Sequence, residues 1–238
     1  LILAIRFKRF KKIITISKFL QDVLCNENHI RKDYVQVLND GAIEAKNIKP
    51  LKFDSKNKIH IGYFGHLHRG RGIDIIVELA KLLPEIDFHL VGGNDKDVAF
   101  WKKNTNKQNN IFFHGFFNYR QASQYRLSCD ILLSPYQENT SVANGMITSQ
   151  WMSPLKIFEY MASRKPFICS KLPVFDDILF HKKNCFLVES KDVLQWVMAI
   201  KTLCNDKNLS IKIAGEAYKN FQEKYTWKKR AQKIIAFM

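Results

Sequence analysis

From Ile59 to Phe237 the chain alternates short apolar runs with longer segments of helical period, and Gly, Pro, Asn or Asp marks the boundaries. Ile59–Phe64 reads as a strand, and Ile73–Leu83 as a helix that Pro84 stops. Asp87–Val91 is a strand ended by Gly92-Gly93, followed by a helix over Val98–Lys103. Ile111–Phe113, Tyr119–Ser128, Asp130–Leu133 and Lys156–Ala162 continue the strand–helix rhythm. Pro166–Cys169 and Cys185–Val188 read as further strands. Helices over Asp192–Leu203, Ile211–Phe221 and Trp227–Phe237 close the chain. Strands alternating with helices argue for the α/β class, with a Rossmann-like parallel sheet and helices on both faces. Such sheets bind ligands at the carboxyl ends of their strands.

The first 58 residues have a different character. Ile13–Ile16 is a β-branched run, Ser17 can cap a helix over Lys18–Cys25, and Tyr34–Leu38 alternates as a strand before the Asn39-Asp40-Gly41 turn. Ala42–Lys58 is polar and aperiodic and reads as a linker. With 46% hydrophobic and 13% aromatic residues the chain can bury a substantial core, which excludes disorder. It carries 38 basic against 22 acidic residues, net +16, a balance that suits phosphorylated ligands or an anionic membrane surface. The lysines are scattered and no zinc-finger, RNP or basic-zipper pattern occurs, so nucleic acid is not an expected partner. The five cysteines are odd in number and widely spaced, which fits reduced core residues in a cytoplasmic protein better than disulfides or a zinc site. No apolar run approaches a membrane span, and Leu1–Ile5 precedes its basic cluster, the reverse of a signal peptide. A start at Leu rather than Met suggests a piece of something longer.

Two segments carry chemistry. The first is Ser153-Pro154-Leu155-Lys156-Ile157-Phe158-Glu159-Tyr160-Met161-Ala162. Ser153 and Pro154 suit a helix start, whose outward N–H groups and positive dipole end make an anion site. Lys156 adds a charge, and Glu159 follows one turn later on the same face, where a carboxylate suits sugar hydroxyls. The second is Gly62–Asp74, a glycine-framed loop at a strand end in which Arg69 and Arg71 can grip phosphate bidentately. Its spacing matches neither a P-loop nor a dinucleotide fingerprint. Weaker candidates at other strand ends are His114-Gly115-Phe116, Gly92-Gly93, and Tyr136 or Glu138. No nucleophilic triad suggests itself.

The run from Ser153 to Ala162 with Lys165-Pro166-Phe167-Ile168 resembles the donor-site signature of the family 4 glycosyltransferases, retaining enzymes of the GT-B fold. The resemblance implies transfer of a hexose, with retention, from a nucleoside-diphosphate sugar to a glycan or lipid-linked acceptor. It implies that Arg71 holds the leaving diphosphate and Glu159 the ribose; Lys156 is this chain's own addition to the motif, and with Arg71 and Arg69 it is expected to neutralise the diphosphate, so that Arg71, Lys156 and Glu159 are expected to carry the chemistry. Gly65, His66, Arg69, Gly72, Ser153, Pro154 and Leu155 would line the phosphates, Gly115 and Phe116 the base, and Tyr136 the edge of the site. Arg71 stands at the family's lysine position. His66 stands where the family has an arginine, so either His66 serves as a neutral donor or Arg69 supplies the charge. The first of the family's paired glutamates falls at Trp151.

By the same resemblance residues 1–48 are the remnant of an acceptor domain and a linker, 49–222 the donor-binding domain, and 223–238 a helix crossing back toward the first domain. Most of that first domain is expected to be missing, so this chain alone is expected to bind nucleotide and transfer sugar poorly. No cofactor or metal is expected, because side chains and a helix N-terminus neutralise the diphosphate in this fold. Bacterial cell-surface polysaccharide or lipopolysaccharide synthesis, peripheral on the inner face of the membrane, is the expected setting. A sugar-nucleotide epimerase of the same fold and a non-catalytic membrane- or partner-docking module are the alternatives.

Overall fold

The computed structural model describes residues 12–68, 70–138, 152, 153 and 155–238. The elements are β1 (Ile13–Thr15), α1 (Lys18–Asp22), β2 (Val35–Val37), β3 (Ile59–Phe64), α2 (Ile73–Leu82), β4 (Ile86–Val91), α3 (Asp95–Asn104), β5 (Ile111–Gly115) and α4 (Tyr119–Ser128). They continue with β6 (Ile131–Ser134), α5 (Leu155–Ala162), β7 (Phe167–Ser170), β8 (Phe186–Val188), α6 (Val193–Asn205), α7 (Lys207–Lys224) and α8 (Trp227–Phe237). Side-chain caps start several of the helices: Asn94 accepts from Asp97 N–H, Asp192 from Gln195 and Asp206 from Leu209, and Asn118 forms a full capping box with Gln121.

β1 and β2 pair in a small parallel sheet of their own. The other six strands form one parallel sheet in the order β5-β4-β3-β6-β7-β8. The chain first winds outward from β3 to β5, then returns with β6 on the other side of β3 and winds outward again. The order therefore reverses between β3 and β6, where such sheets open a crevice at their carboxyl ends. Strict alternation divides the strands between two cores. Ile61, Tyr63, Phe88, Leu90, Ile131, Leu133 and Ile168 pack with α2 and α6, while Phe64, Leu132, Phe167 and Cys169 pack with α5 and the end of α7.

The structure redraws several expected boundaries. The helix expected over Lys18–Cys25 is α-helical only to Asp22 and widens into a π-turn over Val23–Glu27, because Asn28 N–H and Nδ2 both bond Val23 C=O. α3 begins at Asp95 and α7 at Lys207, each earlier than expected, because the caps at Asn94 and Asp206 recruit polar first turns. A 3₁₀ turn over Pro173–Phe175 was not anticipated. Cys129, Cys169 and Cys185 are buried free thiols, as expected for core residues, while Cys25 and Cys204 are half-buried.

α8 lies against the first segment. Ala42 N–H donates to Tyr225 C=O at 2.9 Å, and Arg230 Nη1 donates to the carbonyls of Leu38 and Asn39. Ser153, expected as a helix cap, uses its Oγ to accept the Asp40 N–H at 3.0 Å, a contact across 113 residues that seats the start of α5 on the Asn39–Gly41 turn. No helix among the described residues is long and apolar enough to cross a membrane.

Candidate donor site at the carboxyl edge

The loop after β3 and the loop after β6 meet at the point where the strand order reverses. Gly65 continues β3 by donating its N–H to Val91 C=O at 2.9 Å, with φ of +145°. A Cβ on Gly65 would stand 3.1 Å from Lys156 Nζ, so the absence of a side chain lets the loop cross directly over the lysine. Gly72 (φ +77°) starts α2, and a Cβ there would lie 1.9 Å from Pro135 C=O. Only glycine allows the β3 and β6 loops to close this tightly.

Three positive or potentially positive groups converge on this junction. Lys156 Nζ sits 3.8 Å from the Tyr63 ring centroid and 4.8 Å from that of Tyr136, and the Arg71 guanidinium lies 5.3 Å from the Tyr136 centroid. Arg71 Nε is buried without a hydrogen-bond partner among the described residues. Burial, then Arg71, push the Lys156 ammonium well below the ordinary lysine range. The lysine read from the sequence as a full positive charge is therefore a strained one in the absence of an anion. His66, stacked on His68 at 5.0 Å, is lowered by burial and then by His68, Arg71 and Lys156, so it stands neutral at pH 7. Burial lifts Tyr136 to about 12, so the phenol under both cations stays protonated.

α5 carries the rest of the motif. Tyr160 Oη accepts Phe64 N–H and donates to Leu133 C=O, both at 3.0 Å, and so bridges β3 and β6 where their ladder opens. Glu159 Oε2 accepts from Arg126 Nη1 of α4 at 2.8 Å. The Arg126 side chain is 4% exposed and also donates to Ser123 Oγ, while Glu159 is 29% exposed. Glu159 is thus a clamped carboxylate with one edge toward solvent. Sequence reading missed Arg126, since nothing in the spacing of α4 marks it.

The structure brings Gly65, His66, Arg71, Gly72, Tyr136 and Lys156 together, with Glu159 one turn along α5 and Ser153 at its start. Gly115 (φ +75°) ends β5 and accepts Gly92 N–H at 2.7 Å, and Phe116 beside it is exposed, two strands away on the same edge. Leu155 is exposed at the first turn of α5. Arg69, Pro154 and Trp151 lie outside the described residues. A separate groove of about 680 Å³ opens between the first segment and the Pro173 turn, lined by Lys18, Phe19, Asp22, Asn39 and Asp177.

An uncharacterized glycosyltransferase of Methanocaldococcus jannaschii is 26% identical over 236 residues, 94% of this chain and 57% of the relative. The processive diacylglycerol alpha-glucosyltransferase of Acholeplasma laidlawii is 26% identical over 181 residues, 71% of this chain and 49% of that protein. Among solved structures, Anabaena HepE in complex with UDP superposes with a TM-score of 0.75 at 19% identity, covering 95% of this chain and 63% of that one. The chain thus spans about half the length of these two curated relatives, and its fold is that of the GT-B-like glycosyltransferases. The profile of the family described as "Glycosyl transferases group 1" matches residues 44–220, the stretch that holds the six-stranded sheet and every residue of the cationic junction. By that match, which spans well over half of its length, the chain belongs to the group 1 glycosyl transferases.

Proposed function

We propose that this chain is the donor-binding part of a retaining, family 4-type hexosyltransferase that uses a nucleoside-diphosphate sugar and a glycan or lipid-linked acceptor. The observation that carries the reading is the convergence of Arg71 and Lys156 on Tyr136 at the strand-order reversal, with the Lys156 charge depressed and Arg71 Nε unpartnered. An anion placed there would restore the lysine's charge and satisfy the guanidinium. The same groups would stabilise the departing diphosphate, each charged hydrogen bond contributing about 1.5–3 kcal/mol, without need of a metal. Glu159, fixed by Arg126, presents its free edge to the ribose hydroxyls. His66 acts as a neutral hydrogen-bond donor in place of the arginine the family has there.

UDP is the first nucleotide to try, because a structural neighbour is solved with UDP. The Acholeplasma relative and a Staphylococcus aureus poly(ribitol-phosphate) alpha-N-acetylglucosaminyltransferase, 24% identical over 173 residues, are both named for alpha transfer, to a lipid and to a polymer. These names support a polymer or lipid acceptor; the net charge of +16 is what favours a place on the cytoplasmic face of an anionic membrane. Calorimetric titration with UDP, GDP, ADP and CDP tests the reading. One diphosphate binds, and Arg71→Ala weakens it by at least about tenfold. If no diphosphate binds, or if Arg71→Ala binds as tightly as the parent, the site is misassigned.

A further inference from the structure

A second polar cluster begins near the amino-terminal ends of β3 and β4 and runs along one face of the sheet toward the end of β5. His60 is the second residue of β3 and Asp87 the second of β4, and the two face each other in register. His89, two residues further along β4, projects to the same side of the sheet, and His114 of β5 follows. This is the face away from α2 and α6, covered here by Tyr125 of α4 and by linker residues Phe53, Ser55 and Asn57. His60 Nδ1 is 3.2 Å from His89 Nε2 and 3.8 Å from Asp87 Oδ2, and one ligand atom from each of the three lies within 4.8 Å of the others. Asp87 is 2% and His89 4% exposed.

Three features of this cluster go beyond ordinary packing. Asp87 is a nearly buried carboxylate whose recorded neighbours, Ser55, Asn57 and His60, bring no permanent positive charge. Buried charges are ordinarily paired with an opposite charge or coordinate a metal. The nitrogens of His60 and His89 are spaced like two corners of a tetrahedron around an ion with bonds of about 2.0–2.1 Å, for which the edge is about 3.3 Å. The outer contacts are those that orient metal ligands: His89 Nδ1 lies 3.1 Å from His114 Nε2, and Asn57 Nδ2 donates to Asp87 Oδ1 at 2.7 Å. The Phe53 ring is stacked on His89 at 4.0 Å and 12°, closing one face without blocking the nitrogens in the ring plane.

We propose that His60 Nδ1, Asp87 Oδ2 and His89 Nε2 form a binding site for a transition-metal dication of the zinc class, joining β3 to β4 beneath the Phe53–Asn57 linker. His60 and Asp87 are the second residues of their strands and His89 the fourth of β4, and the site shares no residue with the cationic junction of Arg71 and Lys156.

The test uses the full chain, untagged and stripped with chelator, titrated with Zn(II) by calorimetry and with Co(II) by absorption. One equivalent of Zn(II) binds and raises the Tm, and Co(II) gives visible d–d bands without the thiolate charge-transfer band that cysteine ligands would add. Asp87→Asn and His60→Gln each weaken binding by about 100-fold or more, and His114→Ala by about 10- to 100-fold. His29→Ala, outside the cluster, binds like the parent. If the parent takes up no stoichiometric metal, or Co(II) reports thiolate ligation, the proposal fails, and the cluster is then a hydrogen-bonded histidine chain alone. Should the Asp87 variant fail to fold, the parent titration and the partly exposed His60 variant still decide.

Discussion

At the scale of single residues the cationic junction proposed as the donor site keeps its charges under strain. Lys156 packs between two tyrosine rings with Arg71 close by, and its proton is held less tightly than in the unfolded chain. For a base lowered in this way, the unfolded chain binds the proton more strongly. Stability therefore rises with pH from the folded value up to the ordinary 10.5, and the cost is greatest below that window. Lys156→Met should stabilise the ligand-free protein by on the order of 1 kcal/mol at pH 7, about 3 °C in Tm, and abolish nucleotide binding. Thermal melts from pH 7 to 10.5 should show that advantage shrinking as pH rises; an advantage that grows would contradict the assignment. The Arg126–Glu159 pair makes the opposite kind of prediction. Removing Glu159 strands a cation that is 4% exposed, whereas removing Arg126 frees a carboxylate that is 29% exposed and can rehydrate. Glu159→Ala should cost about 3 kcal/mol and Arg126→Leu about 1 kcal/mol, read from denaturant unfolding. Equal costs would mean the pair is not the buried clamp the geometry indicates. The asymmetry also means that a loss of nucleotide binding in Glu159→Ala must be read beside a melt.

At the scale of elements, α5 serves both as a wall of the site and as a structural wedge. Tyr160 reaches from its buried face to the backbones of β3 and β6, at the place where no strand-to-strand bond spans the gap. Tyr160→Phe leaves two buried backbone groups without that partner, at a cost of about 1–3 kcal/mol. Because those groups adjoin the Gly65 and Pro135 loops, the same variant should weaken nucleotide binding; a melt and a UDP titration together check this, and a purely thermal effect would confine Tyr160 to the core. The cores of these elements were legible from apolar period and from Gly and Pro punctuation: β3, α2, α4 and α8 all fall within a residue of the sequence reading. The ends that moved, at α1, α3 and α7, are set by caps and by a π-turn. Those depend on single side-chain bonds rather than on period.

At the scale of the whole molecule, the six-stranded sheet supplies the frame, and the first and last segments are tied to it by a few polar contacts. Ser153 to Asp40, Arg230 to Leu38 and Asn39, and Ala42 to Tyr225 link chain positions 113 to 192 residues apart, or in the last case join the first segment to the residues before α8. The linker between them is held by its aromatic and polar contacts to the face of β3 and β4, where the metal site is placed. The α/β class, the alternation that makes the sheet parallel, and the two glycine- and charge-bearing segments proposed for the donor site could all be read from the sequence by itself. Each is a local pattern, and period, capping residues and charge can be read along the chain. The tertiary structure alone decided that Arg71 and Lys156 share Tyr136, that Arg126 clamps Glu159, and that His60, Asp87 and His89 meet beneath Phe53. Those meetings join residues on different strands and helices, and only the register of neighbouring strands and the reversal between β3 and β6 bring their side chains within bonding distance.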